Sequence, residues 1–180
     1  MRQNSGMCAV IFASVVTVMM LLGASNAMAL ELKSEVFREG DFIPKKFTGE
    51  GPDVSPPLFW DQAPEGTKSF ALIVDDPDAP VGTWVHWALY NIPDAETKLP
   101  EGVLIGPEWE KGILQGRNDF GNFGYGGPLP PKGKPHRYFF RLYALDIMLN
   151  VPPGISKREL MKAMETHILG TSELMGMYQR

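Results

Sequence analysis

The chain has 180 residues, with 17 basic and 21 acidic side chains and a formal net charge of −4 at pH 7. No basic cluster stands out, which argues against nucleic acid as a partner. The single cysteine excludes an intrachain disulfide, and the length suits one domain of ~150 residues held by its own core.

The first 29 residues have the three regions of a secretory signal peptide. Arg2 gives a short positive region, residues 9–23 are apolar, and Ala27-Met28-Ala29 supplies a cleavage site. The apolar run is shorter than the ~20 residues that a spanning helix needs. Cys8 precedes that run, which argues against a lipoprotein. We therefore predict cleavage after Ala29 (cleavage after Ala27 also fits), a periplasmic or secreted location, and one mature domain of residues 30–180 that does not span a membrane.

Short apolar runs separated by turn residues predict a mainly β domain. Residues 30–47 suggest one or two early strands, and Leu58-Phe59-Trp60 suggests another between turns. The runs at 69–75 and 84–92 are apolar throughout, which is typical of buried strands. Residues 94–109 carry turn residues and little periodicity.

The stretch from Gly116 to Asp146 combines a long loop with a strand. Its first part, as far as Pro135, is crowded with Gly and Pro and cannot form a regular element. From His136 to Leu145 the residues alternate, so the even-numbered and odd-numbered side chains lie on opposite faces of a predicted strand. His136 stands at the junction between loop and strand, where binding groups are often mounted.

One helix is predicted near the end of the sequence. Ser156 and Glu159 have the spacing of a capping box. Apolar residues then recur at every fourth position as far as Ile168, and Gly170 is expected to close the helix. His167 is expected to be a surface residue near its C-terminal end. The pattern as a whole predicts a β domain with a C-terminal helix packed on it.

Strand order brings separated polar residues together at one end of the predicted sheet. If the runs at 69–75 and 84–92 pair, Asp76 leaves one strand where His86 enters the next. His136 opens its own strand at the same end. By strict alternation, His86 faces the same side as the other even-numbered residues of its strand.

This convergence suits a small anion. Imidazoles donate hydrogen bonds and can carry charge near neutral pH. The glycine-rich segment 124–127 is expected to form a wall whose N–H groups point inward. A nearby carboxylate orients an imidazole and favours its protonated form. Trp84, Tyr125 and Tyr138 are candidates for an apolar rim.

Several ordered motifs resemble the phosphatidylethanolamine-binding protein family, and the bacterial Raf-kinase-inhibitor-like branch is closest. The resemblance covers nearly the whole mature chain. The motifs are Asp53-Val54-Ser55-Pro56-Pro57-Leu58-Phe59-Trp60, Asp75-Asp76-Pro77-Asp78-Ala79-Pro80, Trp84-Val85-His86-Trp87, Gly124-Tyr125-Gly126-Gly127-Pro128, His136-Arg137-Tyr138 and Glu173-Leu174-Met175-Gly176-Met177-Tyr178.

The resemblance implies a single domain of two antiparallel β-sheets with a C-terminal helix and a small anion pocket at one sheet end. It implies a non-catalytic binding protein for a small anion or phosphorylated head group, without a cofactor or metal. The ligand-binding residues implied or grouped with the pocket are Asp76, Asp78, Trp84, His86, Gly126, Gly127, Pro130, Pro131, His136 and Tyr138. Animal members have Trp-His-His at the position of Trp84-Val85-His86, so only the second histidine is retained. The C-terminal segment also differs from the animal branch, which weighs against kinase inhibition.

Three alternatives remain open at this stage. The pocket could receive a protein partner's terminus or phosphorylated side chain, as a kinase- or protease-inhibitor-like module. An acid–base hydrolase would use Asp76 as base and His86 or His136 as acid. It is disfavoured because the chain has no G-x-S-x-G motif and no cysteine after the signal peptide. A zinc site would combine Asp76, Asp78, His86 and His136, but no spacing motif supports it.

Overall fold

The computed structural model describes Met1 and residues 29–180 of the chain. Nearly all of the predicted signal peptide lies outside these residues. Within them, no helix is long and apolar enough to cross a membrane. The described part of the chain forms nine strands and one α-helix: β1 (Glu31–Ser34), β2 (Leu58–Asp61), β3 (Ser69–Asp76), β4 (Trp84–Pro93), β5 (Lys98–Leu99), β6 (Glu108–Trp109), β7 (Ile113–Gln115), β8 (His136–Leu145), α1 (Lys157–Met164) and β9 (Ile168–Tyr178).

The strands form two antiparallel sheets. The small sheet has the order β1-β2-β5, and the large sheet has the order β6-β7-β4-β3-β8-β9. β3 lies between β4 and β8 at the centre of the large sheet, which explains why every one of its residues is buried. The predicted pairing of the runs at 69–75 and 84–92 is therefore confirmed, as is the mainly β fold with two antiparallel sheets.

The large sheet is covered on both faces. One hydrophobic cluster joins it to the small sheet and includes Leu58 and Phe140. A second cluster joins the opposite face to α1 and includes Ile73 and Leu160. Fully burying side chains of this size contributes about 1.5–3 kcal/mol each. The fold thus has three layers, with the small sheet on one side of the large sheet and the helix on the other.

The C-terminal helix is shorter than the sequence pattern predicts. α1 begins with the predicted capping box, in which the Ser156 hydroxyl accepts from the Glu159 N–H and the Glu159 carboxylate accepts from the Ser156 N–H. The helix has only eight residues, and Ile168 opens β9 at the edge of the large sheet. The prediction of a helix closed by Gly170 is therefore wrong. Gly170 lies within β9, where a Cβ would be 2.8 Å from Cγ of Pro64.

Short strands also occur where the sequence shows little periodicity. β5 and β6 lie within residues 94–109 and have two residues each. Alternation cannot be recognised over two residues, because a strand's side-chain period is itself two. The segment 116–135 contains no helix or strand, as predicted, and only an isolated bridge joins Arg117 to Phe123.

Candidate functional site

β3 and β8 bring Asp76 and His136 together. The two strands are antiparallel neighbours, so the last residue of β3 and the first residue of β8 meet at one end of the large sheet. The Asp76 carboxylate is buried and accepts a hydrogen bond from Nδ1 of His136 at 2.7 Å. Because a carboxylate only accepts, we assign the proton to Nδ1, and Nε2 is the nitrogen left for a ligand. The predicted convergence of these two residues is confirmed.

A β-bulge at the start of β4 sets the position of His86. In the pairing of β3 with β4, Val74 lies opposite Trp87, and the next residue, Asp75, lies opposite Val85. His86 is therefore an extra residue on its strand, and the alternation of side chains is interrupted there.

The bulge overturns the prediction of strict alternation for His86. Ala88 and Tyr90 pack into the cluster on the helix side of the sheet. The His86 ring instead lies edge-on to Tyr138, with centroids 5.2 Å apart, and Tyr138 belongs to the cluster facing the small sheet. The bulge thereby puts His86 on the same face as the Asp76–His136 pair.

The glycine-rich loop supports His86 through its backbone. Nδ1 of His86 donates to the carbonyl of Gly126 at 2.5 Å, and the Gly126 N–H donates to the His86 carbonyl at 3.0 Å. The Gly127 N–H donates to the Asp53 carboxylate at 2.6 Å. Gly126 and Gly127 therefore position neighbours of the site, and they line a different cavity. The prediction that they wall the anion pocket is corrected accordingly.

The loop after β3 is fixed by carboxylates. The Asp78 N–H donates to Oδ1 of Asp76 at 2.7 Å, an Asx turn that stiffens the loop. Both Asp78 oxygens accept from the guanidinium of Arg137, at 2.9 and 2.7 Å. This pairing lowers the pKa of Asp78 to about 2. Asp78 faces Arg137 and shapes the loop, whereas Pro80 lines the cavity described next.

A cavity of about 240 Å³ opens at this end of the sheet, and we name it the sheet-end cavity. The predicted binding residues that line it are Asp76, Trp84, His86, Pro130, Pro131, His136 and Tyr138. Residues that the sequence analysis did not assign to the pocket also line it, notably Val81, Phe120 and Leu129. In the sequence, each of these three is a single apolar residue among turn-forming neighbours, so no periodic pattern marks it.

Two buried donors at this cavity have no hydrogen-bond partner. Across the described residues, three buried side-chain atoms are unpaired: the hydroxyl of Tyr138 and the indole nitrogens of Trp84 and Trp60. The first two belong to residues that line the sheet-end cavity. An unpaired buried polar group costs about 1–3 kcal/mol. Because two of the three unpaired atoms belong to residues that line the same cavity, an oxygen of a ligand bound there would be a favourable hydrogen-bond acceptor.

Burial sets the protonation of the aromatic groups at the site. Burial and the charge of Asp76 raise the pKa of Tyr138 well above its ordinary value, so the hydroxyl remains a donor. Burial lowers the pKa of His86, although the Gly126 carbonyl and Asp76 act in the opposite direction. The His86 ring is therefore neutral at pH 7. Its proton is on Nδ1, facing a carbonyl that only accepts, which leaves Nε2 as an acceptor.

Asp75 and Asp76 are consecutive and serve opposite faces of the sheet. Asp76 faces the cavity, whereas Asp75 pairs with Arg141 at 2.6 Å and with Lys157, the first residue of α1. Asp75 is only 1% exposed, so breaking this ion-pair cluster would leave a buried charge uncompensated. The charge of Asp75 is thus neutralised away from the cavity.

The Pro130–Pro131 wall is tied to the end of β9 and to Arg180, which follows that strand. Nη1 of Arg180 donates to the Pro130 carbonyl at 3.3 Å, and its Nε lies 3.6 Å from the Glu50 carboxylate. The Tyr178 hydroxyl donates to the same carboxylate at 2.6 Å. The end of the described chain therefore holds one wall of the sheet-end cavity in place.

The arrangement does not resemble a metal centre. In the part of the chain that is described, no group of three or more His, Cys, Asp or Glu side chains is placed to hold a metal ion. The zinc arrangement considered from the sequence is thus not assembled among these residues.

Comparison with known proteins gives consistent matches. Residues 33–179 match the sequence model of the family described as Phosphatidylethanolamine-binding protein. A UPF0098 protein of Methanothermobacter thermautotrophicus is 49% identical over 151 residues, covering 84% of this chain and 99% of the relative. A UPF0098 protein of Pyrococcus horikoshii is 49% identical over 161 residues, covering 88% of this chain and 80% of the relative.

Two solved structures are similar along most of their length. The crystal structure of a phosphatidylethanolamine-binding protein homologue from Chlamydia trachomatis superposes with a TM-score of 0.77 at 41% identity, covering 84% of this chain and 98% of that one. An Escherichia coli protein, described as a new member of the mammalian PEBP family, superposes with a TM-score of 0.79 at 36% identity, covering 85% of this chain and 99% of that one.

Proposed function

Because the chain belongs to the phosphatidylethanolamine-binding protein family, we propose that the sheet-end cavity binds a small phosphorylated ligand and carries out no chemistry on it. The observation that supports this most directly is the pair of unpartnered buried donors, the Tyr138 hydroxyl and the Trp84 indole N–H, on residues that line one cavity. Both atoms are buried beside the cavity, and the proposal requires that a phosphate oxygen reach them, which would remove the cost of leaving them unpaired.

The cavity offers acceptor as well as donor groups. Nε2 of the neutral His86 ring carries a lone pair, whereas Tyr138 and Trp84 present hydrogens. Hydrogen phosphate has both kinds of group, since its P–OH can donate while its other oxygens accept. Sulfate has no proton to offer near neutral pH. We therefore expect the cavity to prefer inorganic phosphate to sulfate at pH 7.

The negative charge of Asp76 is compatible with an anion at this place. Its Oδ1 accepts from the Asp78 N–H and its Oδ2 accepts from His136, each at 2.7 Å. The carboxylate is thus directed into two hydrogen bonds and orients His136 so that Nε2 remains for the ligand. The opposing charge lowers the affinity, and the donors of the cavity offset it.

The lining favours binding over catalysis. Among the residues that border the sheet-end cavity there is no serine, threonine, cysteine or lysine to act as a nucleophile. The raised pKa of Tyr138 makes its phenolate inaccessible at neutral pH. Activation of such a group needs a lowered pKa or an adjacent base. These two features support a role as a binding protein.

The test is calorimetric titration with inorganic phosphate at pH 7, in parallel with phosphoethanolamine. Wild type is compared with His136→Ala and with the matched control His167→Ala. His167 also bonds an aspartate through Nδ1, at 2.8 Å, but its side chain is 36% exposed. Losing a hydrogen bond to a charged ligand costs about 1.5–3 kcal/mol, roughly 10- to 150-fold in affinity.

We expect saturable binding that His136→Ala weakens by at least the lower of these factors and that His167→Ala leaves unchanged. The affinity for sulfate should be lower than that for phosphate. Equal binding by wild type and His136→Ala, or an equal loss in both variants, would contradict the proposal.

A further inference from the structure

The sheet-end cavity is smaller than most sites for small organic ligands. Its volume is about 240 Å³, below the ~300–1,000 Å³ of typical small-molecule sites. A phosphate group fits this space, and a substituent larger than the remaining space would extend through the mouth. What lies next to that mouth therefore determines which phosphoesters the protein accepts.

A second and larger cavity adjoins the first, and we name it the loop cavity. Its volume is about 610 Å³, and much of its wall comes from the glycine-rich loop. Phe120 and Leu129 line both cavities, so the two spaces lie on either side of these side chains. A substituent leaving the sheet-end cavity past Phe120 and Leu129 would enter the loop cavity directly.

Exposed apolar side chains mark this passage. Phe120 is 45% exposed, Leu129 is 46% exposed, and Ile105, which lines only the loop cavity, is 70% exposed. Leaving large apolar surface open to water is unfavourable, and its concentration at a cavity mouth indicates a binding role. Burying this surface against an apolar part of a ligand would favour binding.

Phe120 is held in place before any ligand arrives. Its ring lies edge-on to Trp84 and to His86, with centroid distances of 5.4 Å in both cases. Its N–H donates to Oδ1 of Asn118, and the same oxygen accepts from the N–H of Asn122. An aromatic side chain fixed in this way loses little conformational entropy on binding.

The loop cavity is lined by one charge of each sign, Asp53 and Arg117, so neither sign is in excess. The Asp53 carboxylate lies at its wall and is oriented by the Gly127 N–H. Arg117 is engaged within the protein, because it donates to the Gly121 carbonyl at 2.9 Å and stacks over the Phe123 ring at 4.5 Å. The space beside Ile105 and Phe120 is thus suited to an uncharged apolar group.

We propose that the loop cavity is a second subsite, which binds the aromatic or short alkyl substituent of a soluble phosphate monoester whose phosphate occupies the sheet-end cavity. This proposal rests on the proposed function, since it takes the sheet-end cavity as the phosphate site. A space of about 610 Å³ accommodates one such substituent rather than the paired acyl chains of a membrane lipid.

Calorimetry with methyl phosphate and phenyl phosphate tests the subsite, because the two esters share a phosphate group and differ in the apolar part. We expect phenyl phosphate to bind wild type about tenfold more tightly, from the apolar area that the ring buries. Ile105→Ala should reduce this ratio severalfold while leaving the affinity for methyl phosphate unchanged. Phe120→Ala should bring the ratio of the two affinities close to one. Phe120 also borders the phosphate site, so this variant should weaken the binding of both esters.

Leu104→Ala is the matched control. Leu104 is 71% exposed and adjacent in sequence to Ile105, but it lines neither cavity. The ratio between the two esters should be unchanged in this variant. A ratio near one in wild type, or a ratio that Ile105→Ala and Phe120→Ala leave intact, would overturn the subsite while the phosphate site stands.

Sedimentation with phosphatidylethanolamine vesicles separates a soluble ester from a lipid. We expect the protein to remain in the supernatant, and co-sedimentation lost in Ile105→Ala would assign the apolar mouth to a membrane surface and overturn the subsite. If methyl phosphate, phenyl phosphate and inorganic phosphate all fail to bind, both the proposed function and the subsite are overturned.

Discussion

His136 and His167 each bond an aspartate through Nδ1, and the surroundings of the two pairs differ sharply. The distances are nearly equal, 2.7 Å for His136–Asp76 and 2.8 Å for His167–Asp146. The side chains of the first pair are 12% and 4% exposed, whereas those of the second are 36% and 47% exposed. The first pair borders a cavity with two unpartnered donors, and the second lies outside that lining.

The comparison shows that a histidine–aspartate hydrogen bond does not by itself mark a site. At the surface, water competes for the same groups and screens their charges. At the sheet end, the carboxylate is enclosed, its second oxygen is bound by the Asp78 N–H, and the ring can turn only Nε2 to a ligand. The proposed function therefore depends on the burial of the Asp76–His136 pair. Variants that change either this pair or the exposed Asp146–His167 pair test that dependence.

The largest difference is expected on removing the carboxylates. Asp76→Ala leaves His136 Nδ1–H and the Asp78 N–H without their acceptor, which should cost about 2–4 kcal/mol of the free energy of unfolding. Asp146→Ala removes an exposed partner and should cost less than about 1 kcal/mol. Urea unfolding of both variants measures the two losses. Equal losses would show that enclosure does not distinguish the pairs.

Binding should also be linked to protons through His86. Its pKa is lowered by burial in the free protein, and a bound anion would raise it by favouring the charged ring. Binding then takes up a proton, so affinity rises as pH falls through the window between these two values, by at most about tenfold per pH unit. Below the lowered pKa of the free protein, the affinity should level off.

Sulfate is the appropriate probe for this linkage, because its charge does not change in that pH range. Calorimetry between pH 5 and pH 8 should show the rise in wild type and in His167→Ala. In His86→Gln the rise should be much reduced. A pH profile that is identical in wild type and His86→Gln would assign the linkage to another group.

A smaller effect is expected from loosening the wall that encloses the first pair. Arg180→Ala removes the hydrogen bond to the Pro130 carbonyl and the ion pair with Glu50. Because both partners of this ion pair are partly exposed, stability should fall by less than about 1 kcal/mol. Phosphate affinity should fall about threefold, since the wall becomes less ordered. Lys111→Ala, which breaks a surface pair with Glu96, is the control and should not change affinity.

The smallest effect is expected at the loop beside the first pair. Asp78→Asn removes a carboxylate whose pKa is lowered to about 2 by Arg137. A lowered carboxylate pKa stabilises the fold above the unfolded value near 3.8 and loses this contribution as pH falls toward 2. The variant should therefore be less stable than wild type by under about 1 kcal/mol above pH 4. A stability difference between the two proteins that is as large at pH 2 as above pH 4 would contradict this assignment.

Much of the large sheet is predictable from the sequence, because its strands carry strong local signals. The apolar runs at 69–75 and 84–92 and the alternation from His136 to Leu145 correspond to β3, β4 and β8. The predicted helix is too long because Ile168 continues the fourfold spacing of the apolar residues of α1. In the structure, Ile168 pairs with β8 and belongs to β9. Short strands and edge strands depend on partners that are distant in sequence.

The site was only partly predictable for the same reason. Antiparallel pairing alone places Asp76 next to His136. The face of His86 depends on a bulge, which alternation along β4 cannot reveal. The motif suggests that Gly126 and Gly127 wall the anion pocket, but they bond to His86 and Asp53 and line the loop cavity. The motifs show which residues lie near the site, whereas the hydrogen bonds in the structure show what each of these residues contacts.

One NMR titration with inorganic phosphate tests the central claim most directly, because the three histidines of the chain report on both the cavity and the surface in the same sample. We predict that the imidazole signals of His86 and His136 shift together and follow one dissociation constant, while the signal of His167 stays in place. Equal shifts at all three histidines, or none at His86 and His136, would contradict an anion site at the sheet end.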